Sequence, residues 1–303
     1  MANVLKGKVV IVTGAGRGVG AEIAKLAARE GAKVIVNDLG GDEGGEGSDL
    51  GPAHQVAEEI KRAGGEAIAN GASVASWDGA HELFAAAMKA FGGVDAVINN
   101  AGVLRDTIFH KMSEVEWDSV VAVNLKGCFN VARAAAPHFK QRQKGVFVHM
   151  TSTSGLIGNF GQVNYGAAKM GVAGLSKCIA LDMAKFGVRS NCIAPFAWTR
   201  LVGTIPATPE NAARLEVAKQ MTPDKIAPFT VALCSDFAQD VSGQIFGVRR
   251  NEIILFSQPR PIRTVHAAEG WTPQSCIDTA LPALRASYFK LERSSDVFSW
   301  DPI

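Results

Sequence analysis

Short runs of β-branched residues alternate with amphipathic helical segments along most of the chain, and this alternation constrains the fold more than any other feature. Residues Lys8–Thr13 (KVVIVT) form a continuous apolar run, typical of a strand that is buried on both faces. The next segment, Gly18–Glu30, places Val19 and Ile23 on one helical face and stops at Gly31. Repeated strand–helix–strand units predict a parallel sheet that helices cover on both faces.

The alternation continues to residue 256, so residues 1–256 are predicted to form one domain. The further predicted strands are Lys33–Asn37, Glu66–Asn70, Val94–Asn99, Gly145–Met150, Val188–Ala194 and a last one within Gln244–Phe256. The further predicted helices are Pro52–Ala63, Asp78–Phe91 with Asp78 as its cap, Glu114–Lys140, Asn164–Phe186, Asn211–Gln220 and Ile226–Cys234. The C-terminal segment, residues 257–303, has one predicted helix around Cys276–Leu291, and we expect it to pack on the domain or on a neighbouring subunit.

Composition excludes several classes of protein. The formal net charge is +2, and the basic cluster formed by Arg249, Arg250, Arg260 and Arg263 is interpreted as solvated surface, so a nucleic-acid partner is not expected. No apolar run approaches the roughly 20 residues that a membrane span needs, and the N-terminus has no signal-peptide pattern. The five cysteines lie far apart, which is typical of reduced thiols. The sequence predicts a soluble, cytoplasmic protein without a membrane partner.

A glycine-rich turn between the first strand and the first helix predicts a dinucleotide site. Residues Thr13–Gly20 have the sequence TGAGRGVG. In this position Gly14, Gly18 and Gly20 let the backbone turn tightly and approach a pyrophosphate, which the helix N-terminus attracts.

Asp38 indicates which dinucleotide this is. It ends the second strand about 20 residues after the first glycine, where a carboxylate accepts hydrogen bonds from the adenosine ribose. The loop after it contains further acids and neither Lys nor Arg, so a 2′-phosphate there would be repelled. NAD is therefore favoured over NADP, although Arg17, inside the turn, could reach a phosphate.

A tyrosine and a lysine one helical turn apart predict the chemistry. Tyr165 is one of two tyrosines in the chain, and Lys169 follows it in VNYGAAKMG, so the two side chains share a helical face. A free phenol titrates at about pH 10, and a nearby ammonium stabilises the phenolate, which suits proton exchange with an alcohol or ketone. Ser152, after a strand, could bind the substrate oxygen. Asn124 could hold a water in a proton relay to Lys169, or could be a capping or solvent-facing amide.

These motifs together resemble those of the short-chain dehydrogenase/reductase family. In chain order they are TGxxxGxG at 14–20, Asp38, NNAG at 99–102, Asn124, Ser152, and Tyr165 with Lys169. The resemblance implies an α/β fold with a Rossmann-type, doubly wound, seven-stranded parallel sheet, and a homodimer or homotetramer. It also implies a catalytic tetrad of Asn124, Ser152, Tyr165 and Lys169, with Lys169 binding the nicotinamide ribose as well.

Three segments resemble one branch of that family more closely: VNDLGG at 36–41, GVLRD at 102–106 and GNFGQVNYGAAK at 158–169. This branch is the (3R)-hydroxyacyl-CoA dehydrogenase part of peroxisomal multifunctional enzyme type 2, also named a 17-beta-hydroxysteroid dehydrogenase, with its bacterial relatives. It implies NAD and a 3-hydroxyacyl-CoA or hydroxysteroid-like apolar substrate. The alternatives are an NADPH-dependent 3-oxoacyl-[acyl-carrier-protein] reductase or general carbonyl reductase, which Asp38 disfavours, and a non-catalytic nucleotide sensor.

Two positions depart from the family pattern. Ser73-Val74 replaces the usual Asp-Val beside adenine, and Pro195-Phe196, followed by Thr199 and Arg200, replaces Pro-Gly. One of these last four residues, or Val163 with the nearby backbone, is expected at the nicotinamide carboxamide. Residues 196–225 are rich in apolar side chains and are predicted to cover an apolar substrate. No metal is expected. The predicted cofactor-binding residues are Gly14, Arg17, Gly18, Val19, Gly20, Asp38, Ser73, Val74, Asn100, Ala101, Gly102, Tyr165, Lys169, Pro195 and Thr199.

Overall fold

The computed structural model describes residues 3–41, 47–198 and 212–303, and within them eight strands form one sheet. Their order across the sheet is β3-β2-β1-β4-β5-β6-β7-β8. The strands are β1 Val9–Thr13, β2 Lys33–Asn37, β3 Glu66–Asn70, β4 Ala96–Asn99, β5 Gly145–Met150, β6 Val188–Phe196, β7 Ile245–Arg249 and β8 Glu252–Leu255. The first seven are parallel, and β8 is antiparallel to β7.

Helices connect the strands and cover the sheet. They are α1 Gly18–Arg29, α2 Gly51–Arg62, α3 Trp77–Phe91, α4 Glu114–Val121, α5 Gly127–Arg142, α6 Thr153–Leu156, α7 Val163–Met183, α8 Ala212–Lys219, α9 Ala227–Cys234, α10 Pro273–Ser275, α11 Leu281–Arg285 and α12 Ser294–Val297. π-helical turns at Ala122–Lys126 and Cys276–Ala280 join α4 to α5 and α10 to α11. Short 3-10 turns lie at Phe109–Lys111, Ala184–Phe186, Pro223–Lys225 and Asp236–Ala238.

Two hydrophobic cores lie on opposite faces of the sheet. Val10 and Val12 of β1 face the core that α1, α2 and α9 cover. Val9 and Ile11 face the core that α3 and α5 cover. Successive side chains of a strand point to opposite faces, so the continuous apolar run of β1 supplies both cores. The predicted doubly wound α/β fold is confirmed.

The chain order of the strands places a crevice at the centre of the sheet. The chain runs outward from β1 to β2 and β3, then returns to β4 on the other side of β1. In such sheets ligands bind outside the carboxyl ends of the strands at this reversal. The end of β1 leads into the glycine-rich turn, and the end of β4 leads into the NNAG segment, so the fold brings these two motifs together.

The structure differs from the sequence predictions in several details, and within the described residues the sheet has eight strands where seven were predicted. The predicted last strand is a hairpin, because Arg250 has a φ of +55° and turns the chain back as β8. Helix α3 is capped by Ser76, whose hydroxyl accepts a hydrogen bond from the Gly79 N–H (3.2 Å), so the predicted cap at Asp78 is wrong.

Among the described residues, two backbone hydrogen bonds join the C-terminal segment to the sheet domain. The Asn251 N–H, in the β7–β8 turn, donates to the carbonyl of Ile303 (3.0 Å). The Ser294 N–H donates to the carbonyl of Gly158 (2.9 Å), in the loop after α6. The helix predicted at 276–291 begins earlier, at Pro273, and ends at Arg285. Among the described helices, none combines the length and the apolar character that crossing a bilayer requires.

Candidate active site

A cleft of about 940 Å³ opens at the carboxyl ends of the central strands. The predicted site residues on its walls are Gly14, Arg17, Gly18, Val19, Asp38, Ser73, Val74, Asn100, Ala101, Gly102, Asn124, Ser152, Tyr165, Lys169 and Pro195. Gly20 does not line the cleft. Thr199, Arg200 and the apolar residues 201–209 lie outside the described residues, while Trp198 and Pro223 bring the two described ends of the predicted substrate-covering segment to the cleft.

The cleft has two ends that are built differently. The nucleotide end consists of Gly14, Arg17, Gly18, Asp38, Ser73, Val74 and Asn100. The substrate end consists of Asp106, Ser152, Ser154, Asn159, Phe160, Gln162 and Tyr165.

The glycine turn of the nucleotide end has a backbone that favours glycine. Gly14 and Gly18 have φ values of +61° and +54°, which glycine adopts without strain. A Cβ on Gly14 would lie 2.7 Å from the Cα of Ala101, so the turn and the end of β4 are too close for a side chain there. Gly20 lies next to the turn without lining the cleft. A Cβ on Gly20 would overlap the carbonyl oxygen of Gly14, so the turn can adopt its shape only if this residue has no side chain.

Asparagine and threonine side chains lock this turn to β4. The Asn100 amide nitrogen donates to the carbonyls of Thr13 (3.1 Å) and Gly14 (3.0 Å). The Thr13 hydroxyl in turn accepts the N–H groups of Asn100 (3.0 Å) and Ala101 (3.1 Å). The turn is therefore held in shape by the protein itself.

Asp38 is fixed at the end of β2 by backbone donors. One carboxylate oxygen accepts from the Gly16 N–H (2.8 Å) and the other from the Gly40 N–H (2.7 Å). Each oxygen keeps a lone pair for a further donor from a ligand. Within the described part of the chain, Arg17 makes one long hydrogen bond, 3.5 Å, to the carbonyl of Gly41.

The Ser73-Val74 segment, which is predicted to contact adenine, is held in place by the side chain of Asn130. The Asn130 amide donates to the carbonyls of Val74 (3.0 Å) and Ala75 (3.2 Å). Val74 also packs against Gly127, where a Cβ would lie 2.9 Å from its methyl group. The segment therefore presents Ser73 and Val74 to the cleft without an acidic side chain.

Tyr165 and Lys169 lie one turn apart at the start of α7. The Lys169 ammonium lies 5.4 Å from the centre of the Tyr165 ring and donates to the carbonyl of Met150 (2.9 Å). Lys169 is only 3% exposed, although it lines the cleft. The Thr151 hydroxyl donates to the Lys169 carbonyl (2.6 Å), so the end of β5 sets the position of this turn.

Asn124 is buried within the π-helical turn, and its side chain is not solvent-facing. Its amide nitrogen donates to the carbonyls of Val103 (2.9 Å) and Val120 (3.1 Å). Its amide oxygen accepts no hydrogen bond from the described residues. A Cβ on Gly102 would lie 2.6 Å from that oxygen and 3.6 Å from the Lys169 nitrogen, so the space above Gly102 separates an unpartnered acceptor from an ammonium group. A water fits the chemistry of this space.

Ser152 lies where β5 leads into α6. Its hydroxyl oxygen accepts the Ser154 N–H (3.1 Å) as the cap of α6, and its own O–H remains available to a ligand. Ser152, Tyr165, Lys169 and Asn124 thus lie on one cleft, as the sequence predicted, although their roles stay predictions.

Several residues of the substrate end were missed by the sequence analysis. The Gln162 amide nitrogen donates to the Asp106 carboxylate (2.7 Å), and its oxygen accepts from Ser154 (2.7 Å) and Asn159 (3.2 Å). Desolvation by the surrounding protein raises the pKa of Asp106, and the Gln162 hydrogen bond opposes this shift. Both residues lie in the quoted GVLRD and GNFGQVNYGAAK segments, but no pattern indicated that they meet.

Buried titratable groups lie beneath the cleft. Burial, with a smaller effect from Lys169, lowers the pKa of His149 to about 4. Its Nδ1 accepts from the Asn99 amide (3.1 Å), as a neutral imidazole can. Burial raises the pKa of Cys128 to about 11 and that of Cys192 to about 12, so both thiols are protonated at neutral pH.

Sequence comparison identifies the family to which this site belongs. A model of the short chain dehydrogenase family matches residues 8–205. The chain belongs to the short-chain dehydrogenase/reductase family. It is 47% identical over 233 residues to a short-chain type dehydrogenase/reductase of Mycobacterium tuberculosis, covering 77% of this chain and 79% of that one. It is 44% identical over 243 residues to peroxisomal multifunctional enzyme A of Dictyostelium discoideum, covering 80% of this chain but only 53% of that enzyme.

Solved structures support the same assignment. A short chain dehydrogenase from Mycobacterium avium has a TM-score of 0.84 and 38% identity, covering 96% of this chain and 98% of that one. A 7 alpha-hydroxysteroid dehydrogenase in complex with NADH and 7-oxo glycochenodeoxycholic acid has a TM-score of 0.74 and 30% identity, covering 82% of this chain and 96% of that one. This short-chain dehydrogenase is therefore an oxidoreductase, and the family together with the NADH complex of its structural relative indicates a nicotinamide dinucleotide cofactor. The glycine turn, which has no side chains that would block a pyrophosphate, and the free lone pairs of the Asp38 carboxylate fit such a cofactor.

Proposed function

We propose that this short-chain dehydrogenase interconverts a secondary alcohol and a ketone with NAD, with Tyr165 as general acid and base. The observation that carries the proposal is the buried Lys169 ammonium one turn from Tyr165, 5.4 Å from its ring centre, on a cleft that also contains Ser152. A positive charge at this place stabilises negative charge on the phenol oxygen, because the surrounding protein screens it less than water does.

The residues divide the work of proton transfer. Bound NAD supplies the acceptor for the hydride of the alcohol carbon. The Ser152 O–H binds the substrate oxygen, and Tyr165 takes the hydroxyl proton. Lys169 and the unpartnered oxygen of Asn124 hold a water above Gly102, and this water passes the proton to solvent. In ketone reduction the same groups act in reverse.

NAD rather than NADP is proposed because of Asp38. Its carboxylate is held in place by the Gly16 and Gly40 N–H groups, so it cannot easily turn away from a 2′-phosphate. Like charges brought together in a binding site cost several kcal/mol. We expect NADH to bind about 100-fold more tightly than NADPH in a fluorescence titration. A preference for NADPH would favour the alternative, an NADPH-dependent 3-oxoacyl-[acyl-carrier-protein] reductase or carbonyl reductase.

The proposed substrate is a 3-hydroxyacyl-CoA or a hydroxysteroid-like apolar alcohol. The first rests on the segments that resemble the hydroxyacyl-CoA dehydrogenase branch, and the second has support from the structural likeness to a hydroxysteroid dehydrogenase. The two substrate classes are distinguished by measuring the rate of NADH formation with a panel of 3-hydroxyacyl-CoA esters, steroid alcohols and simple secondary alcohols. Fastest turnover of a small polar alcohol would contradict both.

The decisive experiment is Tyr165→Phe. The variant should bind NADH like the wild type and lose turnover by about 100- to 10 000-fold, since it keeps the ring and lacks the proton-transferring oxygen. Tyr288→Phe is the matched control, because Tyr288 lies in the C-terminal segment, is 55% exposed and does not line the cleft. Equal turnover of the two variants would refute the role of Tyr165, whereas NADH binding without turnover of any substrate by the wild type would favour a non-catalytic nucleotide sensor.

The assembly and location are also proposals. We expect a homodimer or homotetramer, as the family resemblance implies, and a cytoplasmic location, which the scattered cysteines favour. Large apolar side chains on the surface, among them Leu181 (79% exposed) and Phe237 (86% exposed), are consistent with subunit contacts. Light scattering after size-exclusion chromatography gives the mass of the assembly, and a monomer at micromolar concentration would refute this part.

A further inference from the structure

Asp106 and Gln162 form a polar pair in the wall of the substrate end. The amide oxygen of Gln162 accepts hydrogen bonds from Ser154 and Asn159, and one of its two amide N–H groups donates to Asp106. The open hydrogen-bonding capacity of the pair is therefore one N–H of Gln162 and the remaining lone pairs of the Asp106 carboxylate.

The Asp106 carboxylate has Gln162 as its side-chain donor among the described residues and is otherwise open to solvent. It faces the cleft, and no ion pair among the described residues includes it. Desolvation already raises its pKa although Gln162 donates to it. A substrate that fills the cleft removes further water from this carboxylate, which is costly unless the substrate supplies a donor.

The position of the pair relative to the reacting centre indicates which part of a substrate it meets. Gln162 precedes Tyr165 by three residues, about one helical turn, and Asp106 lies one hydrogen bond beyond Gln162. A group that binds Asp106 is therefore several bonds away from the alcohol carbon. In a 3-hydroxyacyl thioester of the CoA type, the first donor along the molecule is the amide N–H of the carrier arm beyond the sulfur.

We propose that Asp106 accepts a hydrogen bond from the first amide N–H of the carrier arm of a thioester substrate, and that Gln162 holds Asp106 in position for it. This inference rests on the proposed function and adds a substrate-binding residue to it. The site selects thioesters of amide-bearing carriers over thioesters of plain alkyl or ester-bearing thiols. Asp106 takes no part in proton or hydride transfer.

Two small thioesters that differ by one N–H test the proposal. They are the 3-hydroxybutanoyl thioester of N-acetylcysteamine and that of 2-acetoxyethanethiol, in which an ester oxygen replaces the N–H at the same length. With the wild-type enzyme and NAD, kcat/KM should be about tenfold higher for the amide, since the ester leaves a carboxylate without its donor. In Asp106→Asn the ratio should fall to about one, because the new amide can present a donor instead.

Asp118→Asn is the matched control, since Asp118 is exposed on α4 and does not line the cleft, so it should keep the wild-type ratio. NADH fluorescence checks that each variant is folded at the nucleotide end, and Asp106→Ser replaces Asp106→Asn if the latter fails this check. Two outcomes overturn this inference and leave the proposed function standing. In one, the wild type turns over both thioesters with equal kcat/KM; in the other, the tenfold ratio persists in the Asp106 variant. Turnover of neither thioester by the wild type contradicts the proposed thioester function, and the inference falls with it.

Discussion

The nucleotide end and the substrate end of the cleft are stabilised by different kinds of contact. At the nucleotide end, backbone groups dominate: two glycines in left-handed conformations, carbonyls bound by Asn100, and two backbone N–H groups on Asp38. At the substrate end, side chains bind one another, as in the chain from Ser154 through Gln162 to Asp106.

The substrate end also depends on the C-terminal segment. The Ser294 hydroxyl donates to that of Thr153 (2.7 Å), and the Arg293 guanidinium lies 5.5 Å from the ring centre of Phe160. Phe160 is part of the cleft wall. The comparison indicates that the shape of one end is set by backbone groups, whereas the shape of the other end is set by side chains and can change when they are substituted.

The largest expected effect tests whether the C-terminal segment holds the substrate end. Arg249 is 3% exposed, so its interpretation as solvated surface is wrong. It pairs with Glu252 (2.6 Å) and lies 4.6 Å from the Trp300 ring centre, and its Nη1 donates to the Trp300 carbonyl (3.1 Å). Arg249→Met should lower the free energy of unfolding by about 3–5 kcal/mol, because it removes the ion pair of a buried guanidinium and leaves the Glu252 carboxylate with the Trp300 indole N–H as its side-chain donor. Urea denaturation measures this loss.

In the folded Arg249→Met variant we expect a raised KM for substrate and little change in NADH affinity. Arg260→Met is the control, since Arg260 is exposed and, among the residues that the structure describes, donates only to the carbonyl of its neighbour Pro259. If NADH affinity falls as much as substrate affinity, the two ends are not independent and the comparison fails.

The next effect concerns the backbone of the nucleotide end. Gly20→Ala places a methyl group against the Gly14 carbonyl, so the turn must move. We expect a loss of about 1–3 kcal/mol of stability and NADH binding weaker by about 10- to 100-fold. Gly174→Ala is the matched helical control, because its added Cβ meets no atom within 4 Å, and it should stabilise the protein slightly. Unchanged NADH affinity in Gly20→Ala would refute the role of close packing.

A smaller expected effect is a pH dependence of stability that comes from His149, which is buried below the cleft. The pKa of His149 falls from 6.5 to about 4 on folding, because burial disfavours the charged ring. Between these values the unfolded chain binds the extra proton, so stability is lost as pH falls from about 6.5 towards 4, by about 1 kcal/mol at pH 5.5. His149→Gln removes this contribution, and its stability difference from the wild type at pH 7.5 should shrink by about that amount at pH 5.5. Parallel pH profiles would contradict the assignment.

The smallest effect concerns the contact between Ser294 and Thr153. Ser294→Ala removes one partly buried hydrogen bond and keeps the backbone bond to Gly158, so stability should change by less than about 1 kcal/mol. The KM for substrate should rise by about twofold, with NADH affinity unchanged. Ser295→Ala is the control, because the Ser295 hydroxyl makes no hydrogen bond with the described residues. Identical KM values in both variants would show that this contact does not shape the cleft.

Much of the fold could be predicted from local patterns. The bounds of β2, β3 and β5 agree with the predicted strands, since short apolar runs between polar turns have few other conformations open to them. The β7–β8 hairpin was not predicted, because its turn residue, Arg250, is not one of the residues that normally adopt a left-handed conformation in a turn.

The sequence by itself determined the doubly wound sheet, the glycine turn and the shared helical face of Tyr165 and Lys169. These features follow from the period of apolar residues, from backbone preferences and from helix geometry, which act between residues close in the chain. Only the tertiary structure decided that Asp106 meets Gln162, 56 residues later, and that Ser294 meets Thr153 across 141 residues. Such contacts depend on where the sheet places the ends of its strands, and no short-range pattern encodes that position.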